Sequence, residues 1–304
     1  ELQLSIAFWK FTEKFFPHTI NKSSLKGEIT MCGIAGQIGY EENMRRMSVV
    51  MSQMSAAIAP RGPDASGLYV DDDAYLVHRR LAVIDPDNGA QPMSFGGFTL
   101  VYNGELYNTA ELRRELERRG VEFSGHSDTE VVLRSYVEFG GSCVEMFNGI
   151  FAFAVWDSRR RTLFLARDRI GVKPLFYSLT SDGIVFASEI KALLKHPKVR
   201  PMIDRNGVAD IMLIGPAKRV GSGVFRDISE IPPACCAELT PEGFSVREYW
   251  KVHAAPHTES FEETSAHVRE LLTDAIKRQL VSDVPLCCFL SGGLDSSVIS
   301  AVAA

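Results

Sequence analysis

The chain has no continuous apolar run approaching the ~20 residues that a membrane-crossing helix needs. It also has no excess of basic charge: 33 Lys and Arg stand against 38 Asp and Glu, for a formal net charge of −5. Non-specific nucleic-acid binding needs a basic footprint, so neither nucleic acid nor a membrane is an expected partner. The six cysteines, Cys32, Cys143, Cys235, Cys236, Cys287 and Cys288, form two adjacent pairs and two singletons. That is neither a disulfide framework nor a zinc spacing, and a reducing cytoplasm suits it. The histidines lack metal-ligand spacing, and no redox cofactor is called for. Position 1 lacks an initiator methionine: the chain opens Glu1-Leu2-Gln3-Leu4. Residues 1–31 carry aromatics but no basic stretch ahead of an apolar core, which disfavours a secretory signal. They read as a leader, or as an upstream segment translated in frame, with Lys26-Gly27-Glu28 standing where a purine-rich ribosome-binding site would. On that reading the native protein starts at Met31.

What is present is a globular composition, 45% hydrophobic and 23% charged over 304 residues, with length for two domains. The most informative string is Met31-Cys32-Gly33-Ile34-Ala35-Gly36. Removal of Met31 leaves Cys32 with a thiol nucleophile and a free α-amine on one residue, an arrangement suited to covalent catalysis. The amine has an ordinary pKa of about 8, so part of it is neutral at about pH 7 and can take a proton. The plainer reading is a buried structural cysteine at a strand start.

Residues 32–252 read as one layered α+β domain. Thr99-Leu100-Val101-Tyr102 is expected to be a short strand ending at the turn dipeptide Asn103-Gly104. Asn108 with Glu111 resembles a capping box, opening a helix with Leu112 and Leu116 on one face and a stop at Gly120. Ser127 with Glu130 repeats that signature. Residues 150–156 and 162–166 are apolar runs expected to pair as an antiparallel hairpin. Strands interleaved with a helix pair argue against repeated βαβ units. After the linker 253–257 the pattern changes. Ser260 and Glu263 form a capping box ahead of Val268, Leu271, Leu272, Ala275, Ile276 and Leu280 at helical spacing. Residues 285–290 read as a wholly apolar buried strand with Cys287 and Cys288 in the core. A glycine-rich turn follows, and a helix is expected from Val298. Strand, turn and helix form the beginning of an α/β parallel-sheet domain, assigned to residues 258–304 and expected to be a fragment, because such a strand belongs inside a covered sheet.

The turn Ser291-Gly292-Gly293-Leu294-Asp295-Ser296-Ser297 puts backbone N–H groups and hydroxyls at a helix N-terminus, where donors and macrodipole both favour phosphate. It is not a Walker A loop, which needs Gly-Lys-Ser/Thr. The string resembles the pyrophosphate loop of the ATP pyrophosphatases, which adenylylate a carboxyl or carbonyl group. That resemblance implies ATP binding by Leu290, Ser291, Gly292, Gly293, Asp295, Ser296 and Ser297. Asp295 is then the candidate for the shell of the Mg2+ that accompanies ATP. Met31-Cys32-Gly33-Ile34 is similar to the start of the class II glutamine amidotransferases, which are N-terminal-nucleophile hydrolases with an αββα sandwich. Arg61-Gly62-Pro63-Asp64, His78-Arg79-Arg80-Leu81, Asn103-Gly104-Glu105-Leu106-Tyr107-Asn108 and Ser127-Asp128-Thr129-Glu130 fit as well. So do Arg167-Asp168-Arg169-Ile170-Gly171-Val172-Lys173-Pro174-Leu175 and Ala187-Ser188-Glu189. The two modules in this order resemble the glutamine-hydrolysing asparagine synthetases from residue 31 to residue 304.

The resemblance implies roles. The Cys32 thiolate attacks the glutamine side-chain amide while its own amine manages the proton. The Asn103 side-chain amide and the Gly104 N–H meet the oxyanion. Arg80 holds the substrate α-carboxylate through a bidentate fork, and Asp128 pairs with its α-ammonium. Glu105 lines the same pocket, and Leu81, Ala82, Val83 and Ile84 form a pocket wall, or equally a core strand. The full-length protein would pass ammonia to an aspartyl adenylate, giving asparagine, glutamate, AMP and pyrophosphate, with glutamine, aspartate and ATP as its partners. The rivals are a β-lactam-type or other amidotransferase with a different carboxylate acceptor, and an inactive fragment that only binds glutamine. The 304-residue chain itself is not expected to make asparagine, and a homodimer is left open.

Overall fold

The computed structural model describes residues 31–86, 88–213 and 218–304. The reading of residues 1–30 therefore lies outside the described residues. Two six-stranded sheets carry the architecture. The first runs in the order β10 (Ser229–Glu230), β8 (Phe176–Thr180), β9 (Gly183–Ala187), β1 (Gly33–Gly39), β3 (Ala74–Arg80), β2 (Ala65–Val70). The second runs β12 (Gly243–Glu248), β11 (Cys235–Thr240), β7 (Thr162–Arg167), β6 (Gly149–Asp157), β5 (Phe98–Leu106), β4 (Met93–Phe95). Neighbouring strands in both sheets pair antiparallel.

Three apolar clusters explain why the sheets stack. Ile34, Leu76, Val101, Ala154, Trp156, Leu165 and Phe186 interdigitate between the sheets. On the outside of the first sheet, α1 (Ser48–Ala57) and α5 (Ile190–Leu193) place Met51, Met54 and Leu193 over Ala35, Val77 and Val185. On the outside of the second, α2 (Thr109–Arg118), α3 (Asp128–Phe139) and α4 (Cys143–Met146) lay Leu112, Leu116, Val132 and Val144 over Tyr102, Phe153 and Phe164. Each large side chain buried this way contributes about 1.5–3 kcal/mol. The order helix, sheet, sheet, helix is the αββα sandwich that the resemblance implies. In β1 all seven residues are buried, because it lies between β9 and β3. There a Cβ on Gly36 would stand 2.5 Å from the Phe186 ring, so only glycine lets that ring cross the strand.

Local expectations fared unevenly. The hairpin is present as β6 and β7, and Gly120 ends α2 at φ +86°. Asn103-Gly104 is not a turn. β5 runs straight through it, with Asn103 opposite Ala152 and Gly104 opposite Phe151. Nine consecutive pairs with β6 override the local turn preference. Asn108 precedes α2 but does not cap it; its amide bridges instead to the Met146 carbonyl and the Asn148 N–H. Ser127 caps α3 by accepting from the Glu130 N–H, while the Glu130 carboxylate takes the Ser124 and Gly125 N–H groups.

Beyond the sandwich are α6 (Arg205–Leu213), α7 (Phe261–Arg278) and α8 (Leu294–Ala303). The Ser260–Glu263 capping box opens α7 as expected. Residues 285–290 form no strand: Leu286, Phe289 and Leu290 are exposed, and so are Cys287 and Cys288. A strand exists only through hydrogen bonds to a neighbour, and no described strand pairs with these residues. The helix after the turn starts at Leu294 rather than Val298, with Gly293 as its N-cap and Gly292 at φ +84°.

Candidate active site

A cavity of about 100 Å³ opens where the N-terminus of β1, the loop after β3 and the middle of β5 converge. Cys32 lies on its wall, and its main chain is anchored on two sides. Arg61 Nε donates to the Cys32 carbonyl at 2.9 Å, and Arg61 is itself paired with Glu189 at 3.0 Å. The Ile34 N–H donates to Ser188 Oγ at 3.0 Å. The sulfur accepts from the Leu81 N–H at 3.4 Å and faces the Leu81 carbonyl at 3.5 Å. Burial pushes the thiol above its ordinary value, while the Leu81 N–H and the Lys173 ammonium act against that push. Lys173 is 5% exposed, lines the same cavity and puts Nζ 3.1 Å from Met31 Sδ. Burial draws its pKa down.

The Arg167–Leu175 string explains how that lysine arrives there. Asp168 is fully buried, and its carboxylate gathers the N–H groups of Phe151, Ile170, Val172 and Lys173 at 2.9–3.2 Å. One carboxylate thus folds the loop back on itself and delivers the Lys173 side chain to the cavity that Cys32 lines.

Asn103 is 1% exposed, and its Nδ2 is buried with no hydrogen-bond partner among the described residues. A buried amide donor left unpaired costs about 1–3 kcal/mol, so its retention points to a ligand that accepts from it. A Cβ on Gly104 would lie 2.5 Å from the Ile150 carbonyl oxygen and 2.8 Å from Phe151 Cα. The glycine is required by close packing on β6, and it leaves the strand's cavity edge open beside Asn103.

Asp128, also on the cavity wall, is buried, with Oδ2 accepting from the Tyr102 hydroxyl at 3.0 Å and the Leu106 N–H at 3.2 Å. Desolvation lifts its pKa to about 6. Arg80 is 8% exposed and uses its guanidinium on three carbonyls: Pro86 at 2.7 Å, Ile84 at 3.1 Å and Asp85 at 2.6 Å. The arginine therefore shapes the loop as well as facing the cavity. Gly89 makes room for it, since a Cβ there would meet Arg80 Nη2 at 2.4 Å. Leu81, Val83, Ile84 and Glu105 line the cavity. Ala82 does not; its N–H donates to Asp64 instead. The run 81–84 is irregular loop, not core strand.

The profile of the family described as "Glutamine amidotransferase domain" matches residues 31–250. The chain belongs to that family. A second profile, "Asparagine synthase", matches residues 267–304. Among curated relatives, "Asparagine synthetase [glutamine-hydrolyzing] 3" of Bacillus subtilis (strain 168) is 48% identical over 90% of this chain and 45% of its own length. "Asparagine synthetase [glutamine-hydrolyzing]" of Zea mays is 34% identical over 90% of this chain and 42% of its own. The chain thus spans less than half the length of these relatives. Among solved structures, the glutamine phosphoribosylpyrophosphate amidotransferase from B. subtilis complexed with ADP and GMP shares the fold. Its TM-score is 0.50 at 20% identity, covering 72% of this chain and 49% of that one.

Within this amidotransferase, Cys32, Arg80, Leu81, Val83, Ile84, Asn103, Gly104, Glu105 and Asp128 share one cavity. Residues 290–297 lie elsewhere: Leu290 is exposed, and the turn's hydroxyls bond one another and the Gly293 carbonyl. Sequence reasoning missed Lys173, Gln91, Tyr102 and Thr129 on the cavity wall. Lys173 was within reach, because it sits inside a quoted motif. Gln91 was not: its Oε1 accepts from the Tyr102 N–H at 2.6 Å across the edge of β5, a tertiary contact with no local signature.

Proposed function

We propose that the protein hydrolyses glutamine at Cys32, with residues before Cys32 removed so that its α-amine is free. The observation that carries this reading is the Asn103 Nδ2, unpartnered among the described residues, on the cavity that Cys32 also lines. The thiolate adds to the side-chain amide carbon. The oxyanion accepts from Asn103 Nδ2 and the Gly104 N–H, where such preorganised donors act most strongly. The α-amine takes the thiol proton and gives it to the leaving ammonia, and water then hydrolyses the thioester to glutamate. Arg80 takes the α-carboxylate and Asp128 the α-ammonium, which also relieves the uncompensated burial of that carboxylate.

For the complete protein, the assignment is glutamine-dependent asparagine synthesis, with the amidotransferase domain at 32–252 and an N-terminal fragment of the ATP-binding synthetase domain at 258–304. Ammonia would attack the β-carboxylate of aspartate after its activation by ATP. The turn at 291–297 suits the pyrophosphate. A Cβ on Gly292 would meet nothing within 4 Å, so the loop's backbone is open to a ligand, and its N–H groups begin α8. Among the described residues no group of three metal-ligating side chains occurs. The exposed Asp295 therefore fits a Mg2+ ion only as one ligand beside phosphate oxygens and water. Such an ion would supply neutralisation of phosphate charge. Six free thiols suit a cytoplasmic site of action.

The test is release of glutamate and ammonia from glutamine by protein with Cys32 as first residue, against Cys32→Ala. For the complete enzyme, it is ATP-dependent asparagine formation lost on Ser296→Ala with Ser297→Ala. Glutamine turnover that survives Cys32→Ala would sink the assignment.

A further inference from the structure

The wall of the glutamine cavity is held from behind by a residue outside the amidotransferase match. Val83 and Ile84 face the cavity. The cavity side of their loop is gripped by the Arg80 guanidinium through the carbonyls of residues 84–86. The far side is gripped by Asp283, which lies between α7 and the turn at 291. Asp283 Oδ2 accepts from the Asp85 N–H at 2.7 Å, and the Asp283 N–H donates to the Val83 carbonyl at 3.0 Å. His126 bridges the arrangement, with Nε2 3.1 Å from Asp283 Oδ2 and Nδ1 3.3 Å from the buried carboxylate of Asp85. The His126 N–H also donates to that carboxylate at 3.0 Å. Two residues further on, Asp128 enters the cavity.

The loop needs this hold. It has no regular structure, and Asp85 sits at φ +44°, where non-glycine residues rarely rest. Arg80 points where it does because three carbonyls of that loop are where they are. Arg278 of α7 pairs with Glu111 of α2 at 2.8 Å, which docks the chain just before Asp283 onto the amidotransferase sandwich.

We propose that Asp283 is a positioning residue for glutamine recognition. From the segment matched to the asparagine synthase family, it fixes the loop that aims Arg80 at the substrate α-carboxylate. The inference rests on the reading that Arg80 takes that group. The clamp acts on the group that takes the α-carboxylate, at the opposite end of glutamine from the amide carbon that reacts, so its loss removes binding shared by ground state and transition state. That raises KM and spares kcat.

The experiment compares wild type, Asp283→Ala, Asp283→Asn and His126→Ala in the full chain with Cys32 exposed as the first residue. Glutamine kcat and KM are measured, together with the rate of Cys32 alkylation by iodoacetamide, which needs no α-carboxylate contact. Loss of a charge-assisted hydrogen bond on the loop corresponds to about a tenfold rise in KM for Asp283→Ala. The expected kcat and alkylation rate are those of wild type. Asp283→Asn keeps an oxygen for the Asp85 N–H and recovers most of the affinity. His126→Ala raises KM less, and it decides the matter should Asp283→Ala fail to fold. An unchanged KM in the alanine variants overturns the proposal, as does kcat and alkylation falling together with affinity. A wild type that releases no glutamate sinks the glutaminase reading and this inference with it; wild-type turnover with unaltered variants sinks the inference alone.

Discussion

The Tyr102 hydroxyl donates to Asp128 Oδ2 at 3.0 Å, and no ion pair to that carboxylate forms among the described residues. An acid buried with a neutral donor and no counter-ion holds its proton: the folded value is about 6 against an ordinary 3.8. The folded state therefore binds more protons than the unfolded one between those values, and stability is lost as pH rises through that window. Glutamine binding works the other way, because an α-ammonium wants the charged form. The expected outcome is a KM for glutamine that climbs as pH falls below about 6, with Asp128→Asn giving a high KM and a flattened profile. Steady-state kinetics across the acid limb checks it.

Asn103→Ala removes a donor that has no partner among the described residues. Loss of one oxyanion donor typically costs about 100- to 1000-fold in kcat. Stability should hardly fall, since no protein hydrogen bond of that amide nitrogen is broken. Ammonia-release rates set beside a thermal melt separate the two effects; a large loss of stability with little change in kcat would contradict the assignment.

Lys173→Met withdraws one of the two cations, Lys173 and Arg80, that oppose the effect of burial at Cys32. The thiol then ionises at higher pH, and its alkylation by iodoacetamide slows at neutral pH. Lys173→Arg should restore part of the reactivity. The pH dependence of alkylation is the measurement, and a profile identical to wild type would remove Lys173 from the chemistry.

Gly104→Ala forces a methyl into the Ile150 carbonyl and the Phe151 main chain. Overpacking of this kind costs about 1–3 kcal/mol, and any relief moves β5 away from β6 and carries the Gly104 N–H with it. Lower thermal stability and lost glutaminase activity should appear together. Full activity in the variant would mean that this N–H is not an oxyanion donor.

The sequence announced the chemistry more clearly than the geometry. Cys32, Asn103, Gly104, Asp128 and Arg80 stand out because the short strings that hold them resemble those of the class II glutamine amidotransferases, and the structure places them on one cavity. Residues whose purpose is to hold those groups were harder to read. Asp168 acts by collecting three N–H groups of its own loop and the Phe151 N–H of β6, and Gln91 by reaching from its loop to the Tyr102 N–H of β5. The contacts to Phe151 and Tyr102 leave no periodic or local trace. The errors share a cause. Asn103-Gly104 looks like a turn and residues 285–290 look like a strand, because both judgements rest on local preference. In each case the outcome turns on a neighbour: β6 is present for the first, and no described strand pairs with the second.

The proposed nucleophile and the proposed oxyanion donors hang from different sheets. Cys32 leads into β1 of one, while Asn103 and Gly104 belong to β5 of the other. Their separation is set by what fills the space between, and Ile34, Val101 and Ala152 are part of that filling. The apolar middle of the molecule thus serves as a gauge block. A methyl added to Ala152, directly across the ladder from Asn103, changes the reach between sulfur and amide without touching glutamine. Side chains with no chemistry of their own are in this sense machined to the same tolerance as the ones that react.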